Sequence, residues 1–358
     1  MKKLRLGVIG AGSWTVSSHL PALERHRDKV EFSIVNRRDP DLLARIRDRF
    51  GFERATTDWR EVVAAGCDIV LVASPVALHA EQAMAALEAG AHVLCEKPFT
   101  IDPAHAWDLV ETARRVQREI VVAYGWNYRP MIVGARQLME DDGGIGEIEQ
   151  LTIHMSSHTR ALLSGTGAYP AAAPESIPEQ ATWIDPALSG GGYGQAQFTH
   201  ALGLALWLAP ELRGREVFAF MSAPLDAPVE LHGALSVRFV NGAIGTVGGG
   251  SEHHGPGNER HKVDVRLIGS RGNFHIDLER EVVWRYRGPD DDVQLPVAAG
   301  DGLYDCVGPV DALVELASGS GINRSPGELG ARTVEILEAA YRSAASGRAE
   351  PVATIERS

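Results

Sequence analysis

The chain is poor in cysteine. Three occur in 358 residues, Cys67, Cys95 and Cys306, odd in number and widely spaced. That usage excludes a disulfide framework and a thiolate metal site, and fits a reducing compartment. Basic excess is also missing: 35 Lys and Arg face 47 Asp and Glu, for a formal net charge of -12. With no basic tract to offset it, nucleic acid is excluded as a partner. No apolar run approaches the ~18–20 residues that a membrane helix needs, so no membrane contact is expected. Met1-Lys2-Lys3 before a short apolar run mimics a signal peptide. The run ends in a glycine turn without a small-residue cleavage site, and a cytoplasmic location is the expectation. Internal repeats and low-complexity tracts are absent too.

What is present is an ordinary soluble composition, 44% hydrophobic and 23% charged. The length exceeds one ordinary core and implies two domains, read as 1–125 and 126–358. In the first, short aliphatic runs alternate with helical spacing. Strands are expected at Leu4–Ile9, Val30–Val35, Asp68–Ala73, Ala91–Leu94 and Ile120–Tyr124. Helices are expected over Ser17–His26, Leu42–Phe50, His79–Ala89 with Gly90 as its cap, and from Asp102-Pro103 to about Gln117. Such alternation implies a doubly wound parallel sheet with helices on both faces, a Rossmann-type α/β domain.

Gly10-Ala11-Gly12-Ser13-Trp14-Thr15 falls directly between the first strand and the first helix. There Gly10 allows a tight turn, Gly12 lets backbone approach a pyrophosphate, and the helix N-terminus offers free N–H groups. Thr15 replaces the usual third glycine and predicts looser packing of helix on strand. The second strand ends in Asn36-Arg37-Arg38-Asp39. Two guanidiniums in place of an acid suit a 2′-phosphate and favour NADP(H), while Asp39 could serve the ribose of NAD if the register slips.

Cys95-Glu96-Lys97-Pro98 closes a probable parallel strand, where open α/β sheets place ligands. A lysine after a strand is most often a surface residue. At this end of a dinucleotide domain, Lys97 is positioned to hydrogen-bond a substrate hydroxyl or carbonyl.

From Trp126 onward the pattern becomes alternating strands: Ile148–His158, Leu231–Val240, Ala243–Gly248, Val263–Ile268, Asn273–Leu278 and Val282–Arg287, with a hairpin at Asn241-Gly242. The second domain is therefore read as α+β with a large, mostly antiparallel, open-faced sheet, onto whose core a final helix at about 329–345 packs. The uncovered face would serve a homo-oligomer, dimer or tetramer. Gly190-Gly191-Gly192 leads into Gln195, Gln197 and His200, with Gln197 and His200 one turn apart on one helical face. The glycines permit close approach to a ligand, and a histidine beside a cofactor is a natural proton carrier. The stretch from Thr159 to Asp185, rich in Ala, Pro, Ser and Gly, is read as a loop covering the substrate. His253, His254 and His261 have no chelating spacing, and no metal is expected.

In order along the chain, the glycine turn, Ser74-Pro75-Val76-Ala77-Leu78-His79, Glu96-Lys97-Pro98, Trp126-Asn127-Tyr128-Arg129 and Gly190-Gly191-Gly192 up to His200 resemble the Gfo/Idh/MocA family over nearly the whole chain. The family is named for glucose–fructose oxidoreductase, inositol dehydrogenase and a rhizopine-catabolism protein. The resemblance implies a nicotinamide cofactor and a sugar or cyclitol substrate, with Lys97 polarising the reacting hydroxyl or ketone and His200 exchanging the proton. It implies a cofactor groove of Gly10, Gly12, Ser13, Trp14, Asn36, Arg37, Arg38, Ser74, Pro75, His79, Glu96 and Lys97. Substrate contacts would come from Asn127, Tyr128, Arg129, His158, Trp183, Tyr193, Gln195 and Gln197.

Two departures bear on the chemistry. Ala196 stands where family members usually have an aspartate, four residues before the histidine, and Ile184 follows Trp183 where arginine is frequent. Losing the acid removes a hydroxyl acceptor and a charge that would favour protonated His200. Hydride transfer between NAD(P)(H) and a secondary alcohol or ketone of a sugar, cyclitol or glycoside is the leading expectation. Redox-neutral glycoside cleavage through transient oxidation, and a non-catalytic dinucleotide sensor, are the alternatives.

Overall fold

The computed structural model describes residues 2–167, 179–252 and 261–353. A six-stranded parallel sheet is formed by β1 (Leu4–Ile9), β2 (Val30–Asn36), β3 (Arg54–Thr56), β4 (Ile69–Val72), β5 (His92–Cys95) and β6 (Ile120–Val122). Their spatial order is β3-β2-β1-β4-β5-β6. Order reverses between β1 and β4, and the crevice at the carboxyl ends of these two strands is where such sheets bind ligands. The strands form because their residues are almost all aliphatic and buried on both faces, as a parallel sheet requires. Aspartates start the intervening helices: the side chains of Asp39, Asp58 and Asp102 accept N–H groups of Pro40–Phe50, Trp59–Ala64 and Pro103–Val116.

The second sheet has nine strands: β7 (Ile148–Ser156), β8 (Gly214–Ser222), β9 (His232–Phe239), β10 (Ile244–Gly250), β11 (Lys262–Gly269), β12 (Gly272–Asp277), β13 (Val282–Tyr286), β14 (Val293–Gln294) and β15 (Glu350–Pro351). Their order is β14-β13-β12-β11-β7-β10-β9-β8-β15, and only β7 and β10 run parallel. Side chains alternate, so Leu151, Ile153 and Met155 of β7 and Val263, Val265 and Leu267 of β11 face the helices. On the opposite face Phe220, Ile244, Ile268 and Tyr286 are exposed.

Two helices tie the sheets together. Gly327–Ser346 packs on Pro103–Val116 and on β8. Val307–Ala317 returns to the first sheet, where Val310, Leu313 and Val314 join Leu6, Val8 and Leu94 in one core. Between these helices, Ser325 accepts the Val122 N–H at 2.8 Å on its carbonyl, beside the edge strand.

Several expectations change in detail. The first helix opens earlier, as a π turn over Thr15–His19 followed by Leu20–Glu24. Thr15 is buried there and its hydroxyl donates to the Gly10 carbonyl at 3.0 Å, so the wide turn absorbs the extra atoms and packing is not loose. Strands β3, β8, β14 and β15 and the helices Trp59–Ala64, Pro130–Glu140 and Val307–Ala317 went unmarked in the sequence. The expected covering loop holds short helices at Arg160–Leu163 and Ala181–Ile184. Its residues 168–178 lie outside the described residues, as do His253 and His254.

Candidate active site

A cavity of about 1120 Å³ opens at the carboxyl ends of β1 and β4 and extends toward the second sheet. The glycine turn forms one end. Gly10 has φ +84°, and a Cβ there would lie 2.5 Å from the Ser74 nitrogen, so only glycine fits. A Cβ at Gly12 would meet nothing within 4 Å. The backbone therefore presents an open cradle beside a helix N-terminus, and this fits a dinucleotide pyrophosphate.

At the coenzyme end, each polar group after β2 already has a role. The Asn36 amide donates to the Thr56 carbonyl at 3.1 Å, and Arg37 donates to the Ala11 carbonyl at 2.7 Å, buttressing the glycine turn. Arg38 pairs with Glu179 at 2.7 Å across the cavity mouth. Asp39 accepts the N–H groups of Asp41 and Leu42 as a helix cap, which takes it away from a ribose. Ser74 donates to Gln82, and His79 spans the carbonyls of Ser74 (2.8 Å) and Pro98 (2.9 Å), tying the end of β4 to the Lys97-Pro98 turn.

Lys97 and His200 line the same cavity as the glycine turn. Lys97 Nζ donates to the Ala196 carbonyl at 3.0 Å and lies 5.9 Å from the ring centre of Trp183. Burial lowers the Lys97 pKa, opposed by the Glu96 charge. Burial alone would push the Glu96 carboxyl up. The hydrogen bond from His19, whose Nε2 lies 2.6 Å from Oε1, and the charge of Lys97 outweigh it and hold Glu96 below the usual range. Glu96 also accepts the Lys97 backbone N–H at 3.0 Å. Both oxygens of this acid are thus engaged, one by His19 and one by the Lys97 backbone.

His200 is held by aromatic edges. Its ring centre lies 4.9 Å from that of Tyr304 and 5.4 Å from that of Trp126, both near perpendicular. Burial drives its pKa well below the ordinary value, and the charge of Lys97 and the neighbouring His261 push the same way. Its Nδ1 is buried without a hydrogen-bond partner. A neutral imidazole beside a fixed ammonium is an arrangement suited to taking a proton from a hydroxyl whose oxygen the ammonium stabilises.

The glycine-rich segment is clamped from behind. Glu230 accepts N–H bonds from Gly192 (2.8 Å) and Gly194 (2.9 Å) and the hydroxyl of Tyr341 (2.6 Å). The Tyr341 oxygen in turn accepts the Gln195 N–H at 3.1 Å. A Cβ at Gly191 would fall 2.3 Å from that hydroxyl. A π turn over Gly194–Phe198 follows, and Gln195, Ala196 and Gln197 all reach the cavity wall.

Trp183 lines the cavity as the sequence suggests, but five expected substrate contacts lie off its wall. Asn127 is wholly buried, its amide donating to the Arg324 carbonyl at 3.2 Å. Tyr128 bonds Ser325 at 2.9 Å, and Arg129 is taken up by Asp305 and the Gly300 carbonyl. Tyr193 donates to the Met155 carbonyl at 3.0 Å, and His158 lies 3.5 Å from Glu252. The side chains of Asn127, Tyr128, Arg129 and Tyr193 are taken up by bonds to neighbouring segments. Conversely, Tyr304, His261 and Thr182 line the cavity, and Glu230, Tyr341 and His19 support it, without a motif to announce them.

Residues 4–124 match an oxidoreductase family with an NAD-binding Rossmann fold, and residues 133–275 match the GFO/IDH/MocA C-terminal domain. The chain belongs to the Gfo/Idh/MocA oxidoreductase family. The first match covers the whole parallel sheet of this Gfo/Idh/MocA protein, and the second ends within β12. It is 25% identical over 317 residues to levoglucosan dehydrogenase of Pseudarthrobacter phenanthrenivorans, covering 78% of this chain and 75% of that one. It is 26% identical over 286 residues to myo-inositol 2-dehydrogenase of Thermotoga maritima, covering 78% and 76%. The fold matches a levoglucosan dehydrogenase structure in complex with NADH and levoglucosan with a TM-score of 0.79, at 23% identity over 99% of this chain and 100% of that one. The chain is thus an NAD(P)-dependent oxidoreductase.

Proposed function

We propose that this protein transfers a hydride reversibly between a nicotinamide dinucleotide and a secondary alcohol or ketone of a sugar, cyclitol or glycoside. The observation that carries the reading is the convergence of Lys97 and His200 on one cavity with the glycine turn. Gly10, Gly12 and the following helix N-terminus would hold the pyrophosphate. When bound, the nicotinamide supplies the hydride acceptor or donor. In oxidation, His200 takes the hydroxyl proton, and Lys97 stabilises the developing alkoxide. Trp126 and Tyr304 keep the imidazole in place and exclude water around it. The named activities of the relatives support the sugar or cyclitol substrate.

Arg38, at the cavity mouth, supports use of NADP(H), with NAD(H) also accommodated. The exposed apolar side chains on the open sheet face support a homo-oligomer, which sedimentation of wild type against Phe220→Lys would reveal. The direct test of the function is formation of reduced nicotinamide with a panel of neutral sugars and cyclitols. Absence of turnover across the panel with either coenzyme, despite coenzyme binding, would refute it.

A further inference from the structure

Three side chains on one short stretch share an unusual condition. Gln195, Gln197 and His200 are 3%, 3% and 6% exposed, all line the cavity, and each carries a buried atom without a partner: Oε1, Oε1 and Nδ1. A buried polar atom left unpaired is costly, so a cluster of them at a cavity wall points to a ligand that completes them. Between the glutamines, the Ala196 carbonyl takes one donor of Lys97. Two unpaired amide oxygens and an unpaired imidazole nitrogen thus belong to residues that line the same cavity as an ammonium with donors to spare.

Charge adds a second constraint. The carboxylates on the cavity wall are Asp39, Glu96 and Glu179 among the described residues. Asp39 caps a helix, Glu96 is bonded to His19 and the Lys97 N–H, and Glu179 is paired with Arg38. Nothing remains there to neutralise a cation on a substrate, and Lys97 repels one.

We infer that the substrate end of the cavity is built for an uncharged polyol whose hydroxyls flank the reacting carbon, read by Gln195 and Gln197, and that it rejects sugars bearing an ammonium group or lacking those hydroxyls. A hydroxyl satisfies both halves of the site without adding charge, donating to a glutamine oxygen while accepting from Lys97. The inference rests on the oxidoreductase reading for the place of the reacting carbon, and it is tested by binding as well as turnover.

The experiment uses the full chain saturated with NAD or NADP. Methyl glucoside and myo-inositol are compared with their mono-deoxy and amino-deoxy counterparts, by calorimetry and by reduced-nicotinamide formation. At least one neutral parent should bind about 10- to 100-fold more tightly than its deoxy or amino counterparts. In Gln195→Leu and Gln197→Leu, checked for fold and coenzyme binding, the preference for the hydroxylated parent should collapse. Gln197→Glu should raise affinity for the amino sugar selectively. Equal binding of parent, deoxy and amino forms overturns the inference, as does selectivity that survives in both leucine variants or no sugar binding at all. Selective binding without turnover upholds the reading of hydroxyls by Gln195 and Gln197 while refuting the dehydrogenase reading and, with it, the place of the reacting carbon.

Discussion

Lys97 Nζ lies 3.0 Å from the carbonyl oxygen of Ala196, a residue 99 positions further along the chain. The contact joins the end of β5 to the π turn that precedes His200, so the first sheet supplies the ammonium and the helical layer of the second supplies the imidazole of the proposed mechanism. Removing the ammonium should stop the chemistry without emptying the coenzyme groove, because the glycine turn is held by Thr15 and Arg37. Lys97→Ala is expected to lower kcat by about 10²–10⁴-fold with coenzyme affinity little changed. Turnover against a coenzyme titration checks this, and wild-type turnover would remove Lys97 from the mechanism.

The lowered pKa of His200 sets a pH dependence. Its base form persists well below pH 6.5, so the acid limb of kcat/KM for alcohol oxidation should lie below that value. Ala196→Asp would place a carboxylate one helical turn away and move the acid limb upward. Stability follows the same proton. A folded value below the unfolded one of about 6.5 means that, as pH falls, the unfolded chain binds protons first. The contribution is complete above about pH 6.5 and is lost as pH drops toward the folded value. His79, also lowered by burial, adds to the slope. His200→Asn should flatten the decline of urea midpoint on acidification, and an unchanged slope would count against the buried neutral imidazole.

The strands β1, β2, β4, β5 and β6 were legible because each is a short, largely aliphatic run followed by helical spacing. Lys97 and His200 were legible because each sits in a motif at a strand end or a helix start. Strands β3, β14 and β15 are too short to show periodicity. Tyr304, His261 and Glu230 reach the site as single residues from separate segments, and nothing local distinguishes them. The Trp126-Asn127-Tyr128-Arg129 motif carries a different lesson. Trp126 braces His200, while the next three side chains bond to the backbone or side chains of 300–305 and 324–325. A polar motif beside a site can be its frame.

Arg38 offers a test of the coenzyme reading proposed above. Its guanidinium is bonded to Glu179, which competes with a 2′-phosphate for the same group. Both side chains are largely exposed, so the pair itself is weak. Glu179→Gln should lower the KM for NADP several-fold and leave that for NAD nearly unchanged, whereas Arg38→Ala should weaken NADP alone. Parallel KM measurements for the two coenzymes decide it. Equal shifts for both would show that Arg38 does not discriminate.

Tyr341 links the last long helix to the glycine-rich segment by one oxygen, which donates to Glu230 at 2.6 Å and accepts the Gln195 N–H at 3.1 Å. Glu230 is thereby fixed to hold the N–H groups of Gly192 and Gly194. Tyr341→Phe keeps the ring and removes both bonds, leaving a buried N–H without its acceptor, at a cost of about 1–3 kcal/mol. The thermal midpoint should fall by a few degrees. The more specific consequence is at Gln195, whose backbone loses its anchor and whose side chain sits on the cavity wall. KM for the sugar should rise, while coenzyme affinity, assigned in the proposed function to the Gly10 and Gly12 turn at the opposite end, should hold. A midpoint that falls with KM unchanged would show that Tyr341 stabilises the fold without positioning the site.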